Sequence, residues 1–315
     1  MTIQNFTICY DAINSKNIFT NGDTITGRII VELSKETHIQ SLVFIAKGNA
    51  KVCWSEHYGQ NMHVVLWSNE KYYEVKHHIL REARRDGTEV IGRGRHVFPF
   101  SFKIPDRKIP SSFKGWEGKI KHQLRAELKQ SMRLTKKTKT CFTFVSKADM
   151  DTPGLMEPQY GCKDKPVTFF ASGNISMDVH TERMGYQQGE GLKVIAEISN
   201  CSTRSVKPKF VLYEKKSFFA QGRRRVHTND ILKEKGEPVP PSNRQTVTKV
   251  LTIPAELPPS ILNCSIIKFE YRLKVVLNVS MTKDPEVKLP IVIIPHKNGP
   301  SSKEQEAYWN KSLDT

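Results

Sequence analysis

The sequence predicts an all-β chain: two tandem antiparallel immunoglobulin-like β-sandwiches joined by a short hinge. Three observations predict it. First, Gly22-Asp-Thr-Ile-Thr-Gly-Arg-Ile-Ile-Val-Glu-Leu33 recurs in outline as Gly189-Glu-Gly-Leu-Lys-Val-Ile-Ala-Glu-Ile198. Second, Ile104-Pro105 and Pro110-Ser111 return as Ile253-Pro254 and Pro259-Ser260, each 149 residues later, and the series Ile120, His122, Leu124, Ala126, Leu128 falls on Phe269, Tyr271, Leu273, Val275, Leu277 at the same offset. Third, short segments of period-two alternation follow one another with scarcely a helical pattern, as in stacked antiparallel sheets. A chain of 315 residues has room for two such units.

A short strand opens the first unit near Ile3–Tyr10, followed by a turn at Asn21-Gly22-Asp23. Ile25, Gly27, Ile29, Val31 and Leu33 then share one side of a half-buried strand, with Thr24, Thr26, Arg28 and Glu32 on the other. Gln40–Cys53 reads as the next strand, and aromatic and β-branched residues extend strand character from Trp54 to Val75. Residues 76–96 contain a short helix-compatible piece and Gly-Arg-Gly-Arg, and read as an exposed excursion. A strand ended by proline covers Val97–Pro105, and a long one covers Lys119–Lys129. Residues 147–165, with Pro153-Gly154 and Pro158, read as a linker between domains at 1–146 and 166–296. In the second domain strands are expected at Ile175–His180, Leu192–Ser199, Lys209–Lys215, Thr246–Ile253, Ile266–Val279 and Val287–Ile294, with a long loop at Gly222–Asn243. The polar residues 297–315 read as a disordered tail.

Charge is uneven. Residues 1–150 hold 25 Lys and Arg against 14 Asp and Glu, a surplus of 11; residues 151–315 hold 24 against 18, a surplus of 6. The first half should therefore attract anionic partners. No secretory leader and no apolar run near the roughly 20 residues of a membrane span is present, so a cytoplasmic protein is expected. Six scattered cysteines without a C-x-x-C pair fit neither a disulfide framework nor a zinc ribbon and read as buried free thiols.

The order and spacing of several segments carry a resemblance. Gly22-Asp-Thr-Ile-Thr-Gly-Arg, Phe98-Pro-Phe-Ser-Phe-Lys-Ile-Pro105, Ser172-Gly-Asn-Ile-Ser-Met, Gly185-Tyr-Gln-Gln-Gly-Glu190, Ser199-Asn-Cys-Ser202, Ser217-Phe-Phe-Ala-Gln-Gly222 and Ile253-Pro-Ala-Glu-Leu-Pro-Pro-Ser260 together resemble the α-arrestin family across residues 1–296. The resemblance implies two arrestin domains and an adaptor, recruited to plasma membrane and endosomes. Such an adaptor engages cytoplasmic tails of membrane receptors or transporters and endosomal sorting proteins. It also implies a HECT ubiquitin ligase as partner, reached through Pro-Pro-x-Tyr, and here the sequence departs: no such motif occurs in it. Pro240-Pro241 and Pro258-Pro259 lack the tyrosine that a WW domain reads beside the proline helix. A second reading from the same resemblance is a redox or regulatory interactor that binds a thioredoxin-like protein.

Alternation on the Lys119–Lys129 strand places Lys119, Lys121, Arg125 and Lys129 on one side, and Lys136, Lys137 and Lys139 follow closely. With Arg28, if the strands are neighbours, they would form a positive strip for phosphorylated or acidic segments. Arg223, Arg224 and Arg225 are candidate contacts to an anionic membrane surface, as are Arg81, Arg84 and Arg85. Nucleic acid is not expected, since no finger, RNP or recognition-helix pattern accompanies the charge. No catalytic, cofactor or metal motif is found: His77-His78 lacks helical spacing, Gly92-Arg-Gly-Arg lacks the Lys-Ser/Thr ending of a phosphate loop, and no Gly-x-Ser-x-Gly is present. His122 falls among core positions and reads as structural.

Overall fold

The computed structural model describes residues 2–59, 62–80, 89–130, 133–147, 152–167, 173–279 and 284–295. Its contacts divide the chain into two units, Met1–Ala148 with Cys264–Ile266, and Asp149–Asn263 with Ile267–Thr315.

In the first unit β1 (Ile3–Tyr10), β3 (Thr24–Leu33) and β7 (Gly94–Lys103) form an antiparallel sheet with β3 in the centre. β7 carries Pro99 opposite Arg28, which is tolerated because β7 is an edge strand and its outer side needs no donor. The second sheet runs in the order β2 (Ile18–Phe19), β10 (Lys136–Phe144), β9 (Gly118–Gln130), β4 (Thr37–Tyr58) and β5 (Met62–Leu80); β6 (Glu89–Ile91) pairs with β4 and β8 (Phe113–Lys114) with β9. Alternation decides what faces inward. Ile25, Ile29 and Val31 on β3 join Phe44 on β4, Leu124 and Ala126 on β9, and Phe142 and Phe144 on β10 in one buried cluster. The rings of Phe44 and Phe100 stack with centroids 4.4 Å apart, so side chains of the two sheets interlock.

The second unit repeats the scheme. β11 (Gln159–Val167), β12 (Gly173–Thr181), β14 (Gly191–Asn200) and β17 (Asn243–Thr252) form one sheet in that order. The other runs β13 (Gly185–Gln187), β19 (Glu286–Ile294), β18 (Ile267–Asn278), β15 (Lys207–Ala220) and β16 (Arg223–Lys235). In each unit a short strand joins the last strand in parallel, β2 on β10 and β13 on β19. Gly22 and Gly189 turn with nearly equal positive φ, 80° and 82°, just before β3 and β14.

Equivalent hydrogen bonds fix the internal repeat more closely than sequence does. His122 Nε2–H donates to the Pro110 carbonyl at 3.0 Å, and Tyr271 OH donates to the Pro258 carbonyl at 2.7 Å. Ser112 Oγ accepts from Phe144 N–H at 3.0 Å, and Ser260 Oγ accepts from Ile293 N–H at 3.0 Å. His122 and Tyr271 keep the 149-residue offset, whereas Pro110 matches Pro258 and Ser112 matches Ser260, an offset of 148. The sequence pairing of Pro110-Ser111 with Pro259-Ser260 is thus corrected by one residue in the loop, although the strand register stands.

Other expectations also change. The loop expected at Gly222–Asn243 is largely β16, turned back on β15 at Gln221-Gly222, whose φ values of 50° and 73° are those of a tight two-residue hairpin. Its charge-rich pattern hid it because an edge strand buries little. Residues 159–165, read as linker, belong to β11, again an edge strand with few buried positions. Residues 76–80, read as the start of an excursion with helical character, continue β5; residues 81–88, with Arg81, Arg84 and Arg85, lie outside the described residues, as does the segment 297–315. The cysteines are not generally buried: Cys264 is, Cys9 is half-buried, and Cys53, Cys141, Cys162 and Cys201 are exposed because they occupy outward positions.

Candidate anion-binding surface

The outer face of the first unit's larger sheet is the side of β9 turned away from the core. On β9 the buried residues Ile120, His122, Leu124, Ala126 and Leu128 alternate with Lys119, Lys121, Gln123, Arg125, Glu127 and Lys129, so the expected cationic side exists. On β10, Lys137 and Lys139 pair in register with Glu127 and Arg125 and lie on the same face.

Two of the sequence candidates are elsewhere. Arg28 belongs to β3 in the other sheet, points outward on the opposite side of the sandwich, and pairs with Asp11 at 3.3 Å. Lys136 pairs in register with the buried Leu128, so alternation sends it to the other face of β10; its Nζ donates to the Ile3 carbonyl at 3.3 Å. In the second unit Arg223, Arg224 and Arg225 begin β16 and therefore alternate between faces. Arg224 donates to Ser217 Oγ at 3.1 Å and lies over the Phe219 ring.

The register adds lysines that the sequence reading missed. Lys51 on β4 and Lys114 on β8 both pair directly with Lys119, giving a row Lys114–Lys119–Lys51 across three strands. Lys47 lies four positions from Lys51 along β4, opposite Gln123. A period-two pattern shows which residues of a strand are outward, but not which strand lies beside which, and that is why this row was invisible. Directly opposite side chains stand about 5 Å apart at Cβ, and like charges there are destabilising.

Ion pairing sorts these cations. Glu127 receives Arg125 at 3.0 Å and Lys137 at 3.4 Å. Glu74 receives Lys71 at 3.3 Å and Lys76 at 3.8 Å; the Lys71 hydrogen bond chiefly holds its carboxyl below the usual range, with Lys47 contributing. Among the described residues no carboxylate pairs with Lys51, Lys114, Lys119, Lys121, Lys129 or Lys139. Such a surface concentrates anions and offers charge-assisted hydrogen bonds.

Among the described residues no group of three or more His, Cys, Asp and Glu is placed to hold a metal ion. His122 is 1% exposed, donates to Pro110 O and accepts from Tyr73 OH at 3.0 Å, and burial lowers its pKa to about 4. Both ring nitrogens are occupied and the imidazole stays neutral. No helix among the described residues is long and apolar enough to cross a membrane.

Comparison with known proteins decides the family. The arrestin (or S-antigen) N-terminal domain matches residues 6–151, and the arrestin (or S-antigen) C-terminal domain matches residues 171–298. The chain belongs to the arrestin family. Arrestin domain-containing protein 4 of Homo sapiens is 29% identical over 309 residues, covering 95% of this chain and 73% of the relative, and its Mus musculus counterpart is 29% identical over 287 residues, covering 89% and 69%. Thioredoxin-interacting protein of Homo sapiens is 27% identical over 297 residues, covering 92% and 74%. These matches place the arrestin chain in the α-arrestin branch, as its sequence segments implied, and arrestin-family relatives are protein-binding adaptors.

Proposed function

We propose that this arrestin works as an adaptor that docks anionic cytoplasmic segments of membrane receptors or transporters on the outer sheet face of its first domain. Docking would direct those cargoes into endocytosis, endosomal sorting and ubiquitin-linked trafficking, with the protein recruited from cytoplasm to plasma membrane and endosomes. One observation carries the reading: the Lys114–Lys119–Lys51 row, with Lys121 beside it, sets like charges side by side without carboxylate partners among the described residues. That arrangement costs stability in the free protein, and an anionic ligand relieves the cost. Recruitment of a HECT ligase would use something other than Pro-Pro-x-Tyr within this sequence.

The test is an affinity pull-down of receptor tails from cell extract, with and without phosphatase, using the wild-type chain and a variant with Lys119, Lys121, Arg125 and Lys129 changed to Glu. Loss of the tails in the variant is expected. Undiminished capture would reject the docking face.

A second reading rests on the exposed thiols of Cys53, Cys141, Cys162 and Cys201. A thiolate among them would attack the disulfide of an oxidised thioredoxin-like partner, forming a mixed disulfide and releasing the partner's other sulfur as thiolate. A non-reducing gel after incubation with such a partner decides it; absence of an adduct counts against this role.

A further inference from the structure

The lysine row ends at an aromatic cleft. Gly115 N–H donates to the Gly118 carbonyl at 2.8 Å and closes the turn between β8 and β9, while Cys53 N–H donates to the Glu117 carbonyl at 2.7 Å and fastens that turn to β4. Trp116 thereby stands at the tip of the turn, 72% exposed. Trp67 on β5 is the cross-strand partner of Cys53 and is 61% exposed. The two tryptophans, with Lys51, Cys53, Asn69 and Lys119, line a cleft of about 450 Å³, and Glu117 is the one carboxylate among the described residues that reaches its lining.

Two large rings left in water beside a concave surface bury little in the free protein and have much to gain from an apolar group placed between them. The surrounding charge selects what brings that group. Lys51 and Lys119 are in the lining, and Lys114 and Lys121 adjoin it in the sheet register. We propose that the Trp67–Trp116 cleft seats a bulky apolar side chain of an acidic peptide whose carboxylates lie on Lys51, Lys114, Lys119 and Lys121. The proposal rests on the adaptor reading and adds a specificity element to it. Along β4, Lys51 is two residues from Cys53, and Asn49, the partner of Lys121, is four; at about 3.4 Å per residue these lie roughly 7 and 14 Å along the strand from Cys53. An extended peptide therefore meets them with acidic residues two and four positions from its apolar one.

Fluorescein-labelled nine-residue peptides with Glu at those positions and either Leu or Ala at the centre, titrated into the full chain, test this. The Leu peptide is expected to bind at least about tenfold more tightly, the gain from burying most of one aliphatic side chain. Trp67→Ala and Trp116→Ala should erase that preference and leave Ala-peptide affinity unchanged. On the wild-type chain, saturating Leu peptide should shield Cys53 from iodoacetamide, read by mass spectrometry, while Cys162 and Cys201 go on reacting. Equal affinities for the two peptides would overturn the cleft proposal and leave the charged docking face standing; no binding of either would overturn both. Capture by phosphatidylserine vesicles with a tryptophan blue shift, in place of peptide binding, would make the cleft a membrane contact and equally overturn the proposal.

Discussion

Replacing His122 by Gln should remove an acid-sensitive contribution to the first domain's stability. Tyr73, Gly48 and His122 lie in one row across β5, β4 and β9. The ring of Tyr73 covers Gly48, where an added Cβ would stand 2.3 Å from it, and its hydroxyl donates to His122 Nδ1 at 3.0 Å. Burial holds the imidazole neutral down to a pKa of about 4 despite the opposing pull of the Pro110 carbonyl, whereas the unfolded chain protonates its histidine near 6.5. The depressed value means that the unfolded state binds the proton first. Stability is therefore complete above pH 6.5 and is lost as pH falls toward 4. From those two values the loss relative to pH 7.5 is about 1 kcal/mol at pH 5.5 and about 3 kcal/mol at pH 4. Urea unfolding followed by tryptophan fluorescence reads this domain, because Trp54, Trp67 and Trp116 all belong to it. Other groups titrate in the same range, so the quantity to compare is the pH slope of wild type against His122→Gln. The variant is expected to start less stable and to lose less on acidification. Parallel slopes would refute the assignment of a buried neutral histidine.

Gly48→Ala should destabilise the same domain by about 1–3 kcal/mol, since its methyl would displace the Tyr73 ring, and the urea midpoint measures it. Ser112→Ala and Ser260→Ala each remove an equivalent side-chain acceptor and should cost about 1–3 kcal/mol by scanning calorimetry. The fully buried Ser260 should show the larger loss. Gly222→Val forces a β-branched residue to a φ of 73°, so faster hydrogen exchange is expected in β16 and the paired part of β15, with the first domain unchanged.

Much of the fold was legible because burial writes itself into alternation. β3, β9, β14 and β18 each bury every second residue, and those strands were readable to within a few positions. β10, β11 and β16 were missed for the opposite reason: β10 is lysine- and threonine-rich until Phe142, and β11 and β16 are edges whose side chains mostly meet water. The surface was legible in part. Sequence alternation gave the side of β9 that carries Lys119 and Lys121, but cross-strand register is a property of the folded sheet. It removed Arg28 and Lys136 from the strip and supplied Lys51 and Lys114. Trp67 and Trp116, 49 residues apart, come to line one cleft through the Cys53–Trp67 pairing and the Cys53–Glu117 backbone bond.

The most direct test of the docking face is a fluorescence anisotropy titration of a doubly phosphorylated receptor-tail peptide into the wild-type chain, Lys51→Glu/Lys119→Glu/Lys121→Glu, and Arg28→Glu. The triple variant should bind at least about tenfold more weakly, with a shallower salt dependence, and Arg28→Glu, on the far side of the sandwich, should bind as wild type does. Equal affinity across all three proteins, or equal losses in both variants, would contradict a docking face built on the lysine row.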